Sequence, residues 1–264
     1  MLVKKALRIL FRLIQPSLKS RNIFMPSFSC STKPTNFLLA ALPDEVYQSL
    51  CVHLEIVKLP QHQVLYHAGD RFRYAYFPSN AIISSVAIME NGSIAEIGVI
   101  GNEGMVGLPI FLKTDYIVNS SLVVQIGGSG YRIAAEELLE ESACYEVLQD
   151  LLKRYIQARI IQISQTAACN SYHKIEQRFA RWLLMVRNRL QTDEIRLTQE
   201  FIAQMLGVQR SGVSEIAARF QREGIIQYRR GLIRIISLKK LKNYSCECYE
   251  LVENEFDRIL KIDR

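Results

Sequence analysis

RLTQEFIAQMLGVQRSGVSEIAARFQREGIIQYRRGLIRII, residues Arg196–Ile236, is the stretch on which the reading of this 264-residue chain turns. Thr198 precedes a helix-forming run, and a threonine there can accept a hydrogen bond from an unpaired amide of the first turn, so Gln199–Leu206 is expected to be a capped helix. Gly207 ends it. A second helix is expected over 209–222, with Val213, Ile216, Ala217 and Phe220 facing inward and Gly224 as its stop. Ile225–Tyr228 and Leu232–Ile236 then flank Arg229-Arg230-Gly231, a basic hairpin. Two short helices about a glycine turn, followed by a two-stranded hairpin, describe a winged helix-turn-helix.

The surface chemistry of this unit suits a polyanion. Gln209, Arg210, Ser211 and Ser214 face outward near the start of the second helix, with Glu215 beyond, and are the expected readers of base edges. Short polar side chains let a helix sink into a major groove. An arginine such as Arg210 can make two bonds to guanine, worth about 1–3 kcal/mol of discrimination. Thr198, Arg219, Arg222, Arg229 and Arg230 are expected on phosphates, where they add affinity without sequence information. Net charge agrees: residues 174–240 carry +8 and residues 44–173 carry −6, within a chain of +7. The plainer alternatives are a basic surface that only aids solubility and a helical hairpin with solvated arginines.

Outward from that stretch the chain divides into five parts: 1–35, 36–141, 142–170, 171–241 and 242–264. Residues 1–35 are basic. Their opening MLVKKALRILFRLI can be drawn as an amphipathic helix suited to an anionic membrane surface, although a translation start at Met25 or a disordered arm is the plainer reading. Asn36–Val57 reads as helical. From there to Arg132 short β-branched or aromatic runs recur, at Val64–Tyr66, Tyr74–Phe77, Ala81–Met89, Ser93–Ile100, Val106–Leu112, Ser121–Ile126 and Tyr131–Ile133. Asn91-Gly92 between two of them signals a hairpin. Seven short strands with turns between predict an antiparallel sandwich or roll.

Glu136–Asn170 holds no proline or glycine and reads as one long helix. Leu148, Leu151, Tyr155, Ala158, Gln162, Gln165 and Cys169 step alternately by three and four, which is coiled-coil spacing, with Leu152, Ile156, Ile160, Ile163 and Ala167 as a neighbouring stripe. The two rows predict a homodimer seam; a helix packed on its own domain is the alternative. Residues 242–264 read as one more helix with Tyr249, Val252, Phe256 and Leu260 on one side. The fold class expected is therefore α+β, with an N-terminal antiparallel β-roll, a long dimerisation helix and a C-terminal winged helix-turn-helix.

From about Asn36 to Lys240 the chain resembles the Crp/Fnr family of bacterial transcription regulators, most specifically over Arg196–Ile236. The resemblance implies a cyclic-nucleotide-binding-like roll as sensor domain, a symmetric dimer on double-stranded DNA, contact with RNA polymerase and a cytoplasmic setting. By position Arg210 falls where members carry a base-reading arginine. Ser211 and Glu215 stand where the cyclic-AMP-responsive members have an acidic reader and a second arginine. The effector positions depart from the pattern. Gly107 and Leu108, in Val106-Gly107-Leu108-Pro109, stand where cyclic-nucleotide binders have a Gly-Glu pair. Val118-Asn119-Ser120-Ser121 stands where those members have an Arg-Ser/Ala step, so Asn119 occupies a ligand position without an arginine. A cyclic phosphate there would lack its cation.

No cofactor is expected: a cyclic nucleotide and an iron–sulfur cluster lack their residues, and the histidines are read as structural, with a haem or metal axial ligand among them as the alternative. Cys30 and Cys51 precede the roll, Cys144 and Cys169 follow, and four thiolates do not obviously converge. Cys246-x-Cys248 is too close for a common zinc pair, so both are read as packing residues, and no metal is expected. His53, His62, His67 and His173 are scattered. Gly98, Gly101 and Gly104 are turn glycines, since their spacing does not match a dinucleotide loop. No nucleophile–base pair or carboxylate dyad stands out, so an enzyme is not expected. The rival function is a non-enzymatic small-molecule-binding or assembly protein that uses the roll without reading DNA.

Overall fold

A computed structural model describes residues 34–112, 118 and 120–260. Residues 1–33, and with them the basic amphipathic opening and Met25, lie outside the described residues. So does Asn119.

Two short helices lead in, α1 (Phe37–Ala40) and α2 (Asp44–Cys51), capped by the Asn36 side chain and by Pro43. The roll follows as β1 (Glu55–Leu59), β2 (Val64–Tyr66), β3 (Tyr74–Pro78), β4 (Ile82–Ile88), β5 (Ile94–Ile100), α3 (Leu108–Phe111), β6 (Ser121–Ile126) and β7 (Gly128–Ala134). These strands form one sheet in the order β1-β7-β3 and another in the order β2-β6-β4-β5, antiparallel throughout. Two details differ from expectation. The helix expected through Val57 ends at Cys51, and Glu55–Leu59 is instead an edge strand on β7. The strand expected at Val106–Leu112 is a single bridge from Val106 to Tyr76 followed by α3. The cause is Gly107, whose φ of 109° breaks extended pairing and starts the helix, with Pro109 in its first turn. The Asn91-Gly92 hairpin forms between β4 and β5 as expected, with Gly92 at φ 85°.

The long helical segment is broken once. Tyr145, at φ −124° and ψ 106°, separates α4 (Ala135–Cys144) from α5 (Glu146–Tyr172). Then come α6 (Ile175–Leu190), β8 (Glu194–Arg196), α7 (Gln199–Leu206), α8 (Arg210–Arg222), β9 (Ile226–Arg229), β10 (Leu232–Ile235), α9 (Leu238–Tyr244) and α10 (Cys248–Leu260). The tail is thus two helices, bent at Ser245, and the Tyr249, Val252, Phe256 and Leu260 face is buried as expected.

Two large cores organise the molecule. The first fills the roll and includes Leu148, Leu151, Leu152, Tyr155 and Ala158 of α5 with Val252, Phe256 and Leu260 of α10. The second lies within the C-terminal module, around Phe179, Trp182, Leu183, Ile202, Val213, Phe220 and Ile233, and takes in Ile82 and Val99 of the roll. That shared membership explains why β4 is buried on both faces instead of alternating.

The predicted dimer seam is corrected by this packing. Leu148, Leu151, Leu152, Tyr155, Ala158 and Gln162 are buried within the chain itself, because the roll and α10 cover that side of α5. Ile156 is half-buried, and Ile160 and Ile163 are exposed at 59% and 40%. Among the described residues no helix is long and apolar enough to cross a membrane.

Candidate nucleic-acid interface

The C-terminal module folds closely along the lines its glycines dictate. Thr198 caps α7, its Oγ1 accepting from the Phe201 amide at 3.2 Å. Gly207 ends α7 in the left-handed region at φ 63°, where a side chain would be strained. The second helix begins at Arg210, one residue later than expected, with Gln209 as its N-cap in extended conformation. Val213, Ile216, Ala217 and Phe220 point into the core. The wing is β9 and β10, joined by Arg230 and Gly231 at φ 49° and 76°, a two-residue turn of the kind that matches strand twist. A third strand, β8, pairs with β10 and was not foreseen, since three residues are too few to show a period.

Of the residues expected to read bases, Gln209, Arg210, Ser211 and Glu215 are exposed at the open end of α8. Ser214 is half-buried and engaged: its Oγ, with a single proton to give, lies 2.6 Å from Gln199 Oε1 and 3.0 Å from the Arg210 carbonyl oxygen, and the shorter bond ties α8 to α7. Among the residues expected on phosphates, Thr198, Arg222, Arg229 and Arg230 are exposed. Arg219 is half-exposed and already paired. Its guanidinium pairs with Glu176 at 3.0 Å and lies 5.8 Å from the centre of the Tyr244 ring, so it braces α8 against α6 and α9. Neither Glu176 nor Tyr244 is near Arg219 in sequence, which is why spacing could not reveal this.

The module is set against the roll at defined points. Phe201 and Met205 of α7 lie on Val86, Val123, Val64 and Ile94 of the four-stranded sheet. A cleft of about 960 Å³ opens beside them, lined by His62, His67, Ser84, Arg196, Arg210 and Arg230 among others. Glu96 of β5 accepts from Ser84 Oγ at 2.8 Å and from Trp182 Nε1 at 3.1 Å, and burial pushes its carboxyl up to about 7. Arg189 of α6, 1% exposed, donates to Glu103 of the roll at 2.8 Å and to Glu253 of α10 at 3.1 Å. Gly101 admits that guanidinium stem, because a Cβ there would stand 2.6 Å from Arg189 Cβ.

At the roll's family-pattern ligand positions, Gly107 and half-buried Leu108 lie at the start of α3, and a Cβ on Gly107 would meet the Ala75 backbone at 3.2 Å. Leu108 offers no acceptor, as the sequence implies.

The cysteines converge in a way that their spacing does not reveal. Among the described residues, Cys169, His173, Cys246 and Cys248 each place a ligand-type atom within 4.8 Å of the others. The thiols at 246 and 248 are buried as expected and pack with Cys169 in one cluster. Helix α5 brings Cys169 and its last turn to the bend before α10, 77 residues away in sequence. Cys169 and His173 stand one helical turn apart, a pattern visible in the sequence, yet nothing there points it at Cys246.

Comparison with known proteins places these observations. Residues 177–244 match the family of Crp-like helix-turn-helix domains. No curated protein sequence matches the chain. Among solved structures the chain is similar to FixK2 from Bradyrhizobium japonicum, at 14% identity and a TM-score of 0.62, over 73% of this chain and 98% of that one. It is similar to a CRP-family transcriptional regulator from Thermus thermophilus, at 15% identity and 0.59, over 72% and 96%. The c-di-GMP-responsive global regulator CLP of Xanthomonas campestris aligns at 14% identity and 0.59, over 74% and 100%.

Proposed function

We infer that this chain is a DNA-binding transcription regulator of the Crp/Fnr type, a homodimer that reads a two-fold symmetric operator with the N-terminal end of α8. The observation that carries the reading is the exposure, on one basic module, of Gln209, Arg210, Ser211 and Glu215 beside the wing arginines Arg229 and Arg230. Arg210 is the base reader by reach and charge. Arg222, Arg229 and Arg230 supply phosphate affinity, with the Thr198 end of α7 against the backbone, where a helix N-terminus favours an anion. Arg219 is left out of this set because its guanidinium pairs with Glu176.

Dimerisation uses the outward stripe of α5, with Ile160 and Ile163 at its centre. The roll acts on DNA binding through the α7 contact, since a ligand in the adjoining cleft meets different surroundings when α7 lies on the sheet and when it leaves. Only such a difference lets a ligand shift an equilibrium. RNA polymerase is the further partner and the cytoplasm the setting.

Selection from random duplex DNA at two salt concentrations tests the reading. A symmetric motif whose binding weakens steeply with salt is expected, because each phosphate neutralised releases counterions. Arg210→Ala should then weaken the selected site about 5- to 150-fold and leave non-specific binding nearly intact, the range set by about 1–3 kcal/mol. Arg229→Ala should weaken all DNA alike, and Arg219→Ala should lower stability instead. Equal losses on selected and random DNA for Arg210→Ala would remove it as a reader, and absence of any motif with and without cell extract would remove the operator reading.

A further inference from the structure

We propose that Cys169, His173, Cys246 and Cys248 form a tetrahedral site for one zinc-class divalent ion, which staples the C-terminal segment to the end of the long helix. The inference does not rest on the DNA reading.

The geometry is that of a single ion. Cys169 Sγ and Cys246 Sγ stand 3.6 Å apart, and Cys248 Sγ stands 3.4 Å from His173 Nδ1. With metal–sulfur bonds of about 2.3 Å and metal–nitrogen bonds of about 2.0–2.1 Å, the edges of a tetrahedron are roughly 3.8 Å between sulfurs and roughly 3.5 Å from sulfur to nitrogen. Both separations lie close to those edges, and the whole set falls within 4.8 Å. An iron–sulfur cluster would hold its thiolates apart by its own width, so four ligand atoms this close fit one ion and not a cluster. A disulfide between Cys169 and Cys246 would require an S–S length of about 2.05 Å and would leave Cys248 and His173 facing each other without a purpose.

Local structure aims the ligands. Cys169 and His173 sit four residues apart at the C-terminal end of α5, so one helix face presents both. The Tyr249 amide bonds back to the Cys246 carbonyl at 3.1 Å, closing a turn that brings two cysteines with one residue between them to the same side. That turn is what makes Cys-x-Cys workable here, against the expectation from spacing.

The surroundings are those of a metal site as well. His173 Nε2 faces Glu247 Oε1 at 3.3 Å, which leaves Nδ1 as the nitrogen turned to the sulfurs. A carboxylate on the far nitrogen is the usual means of fixing a ligating imidazole. Gln165 Nε2 donates to Cys248 Sγ at 3.0 Å, as suits a thiolate. Three thiolates and one divalent cation leave a net negative charge, and Arg178 and Arg181 lie within electrostatic reach of Cys169 to balance it. The three cysteines are 5% exposed or less, which marks a closed site with a structural role.

The position gives the ion a mechanical consequence. His173 is the C-cap of α5, at the joint from which α6 and the DNA-binding module depart, Cys246 lies two residues before α10, and Cys248 opens it. Loading would tie the joint, the long helix and the tail together.

The test is metal analysis of the full-length protein purified under reducing, oxygen-free conditions, followed by exchange with cobalt(II). One zinc per chain is expected to survive dialysis. Cobalt should give the intense visible bands of tetrahedral thiolate coordination, with sulfur-to-cobalt charge transfer in the near ultraviolet. Cys246→Ser should abolish that spectrum, whereas Cys144→Ser, altering an exposed cysteine outside the group, should preserve it. His173→Cys should keep tetrahedral bands at shifted energy, which guards against a variant that merely misfolds. Glu247→Gln should weaken metal affinity about 10- to 100-fold with the spectrum retained. A metal-free protein whose reduced thiols give no cobalt bands would overturn the proposal, as would several irons per chain with inorganic sulfide. A Cys169–Cys246 disulfide in the freshly isolated protein, with no metal present, would also overturn it.

Discussion

Replacing Arg189 with methionine should destabilise the protein by about 3–5 kcal/mol, because the change strips the cation from a buried group and leaves two carboxylates facing each other without water. Arg189 is 1% exposed, bonded to Glu103 and Glu253, and also donates to the Met185 carbonyl at 3.0 Å. Burial and the two carboxylates act in opposite senses on its guanidinium, and the carboxylates prevail, holding its pKa above the ordinary value. Methionine fills much of the stem's volume, so the loss reads charge and hydrogen bonding more than a cavity. For a chain of this size the melting temperature should fall by roughly 6–20 °C. The measurement is urea unfolding followed by the fluorescence of Trp182, the only tryptophan, which is buried in the module that α6 carries. A loss under about 1 kcal/mol would refute the account of this triad as a charge-balanced connection between roll, α6 and α10.

Glu96→Gln should flatten the pH dependence of stability. The Glu96 pKa of about 7 in the folded state exceeds its unfolded value, so its contribution is complete below about 4.5 and is lost as pH rises through about 7. The full span is on the order of 3 kcal/mol, with about 1 kcal/mol falling between pH 6 and 8. Thermal melts of wild type and Glu96→Gln across that interval should diverge by a few degrees, and parallel curves would dismiss the role of this carboxyl. Ile160→Asp combined with Ile163→Asp should yield a folded monomer by sedimentation, while Leu151→Ala should cost about 2–5 kcal/mol of stability without selectively dissolving the dimer. The opposite pattern would return the seam to the row that the fold buries.

What the sequence made legible and what it concealed divide along a physical line. The winged module could be read nearly residue by residue, because its boundaries are set by local chemistry: the Thr198 cap, the left-handed Gly207, the Arg230-Gly231 turn and a 3.6-residue apolar period. The roll's hairpins carried similar local marks. The seam misled because a heptad row records only that one side of a helix is buried. Whether the covering surface is another chain or the helix's own domain is a tertiary fact, and here it is the roll and α10. The ion pair of Arg219 was hidden for the same reason, its partner Glu176 arriving from another helix.

Three connections run from the roll, one to α6, one to α6 with the tail and one to α7, and they are of different chemical kinds. Glu96 to Trp182 responds to protons near neutrality, the Arg189 triad resists everything short of losing a charge, and Phe201 and Met205 on the sheet are apolar and non-directional. If the winged module has two positions, the costs of leaving this one are unequal. The apolar contact of α7 can slide or separate with modest loss, whereas the Arg189 triad cannot open without exposing a desolvated charge. A shift that frees α8 for DNA should therefore turn about Arg189 and α6 while α7 leaves the sheet, so the cleft beside α7 is where a ligand gains leverage and the triad is where it does not. Glu103→Gln should accordingly change stability far more than it changes any effector response, whereas Met205→Gln should do the reverse.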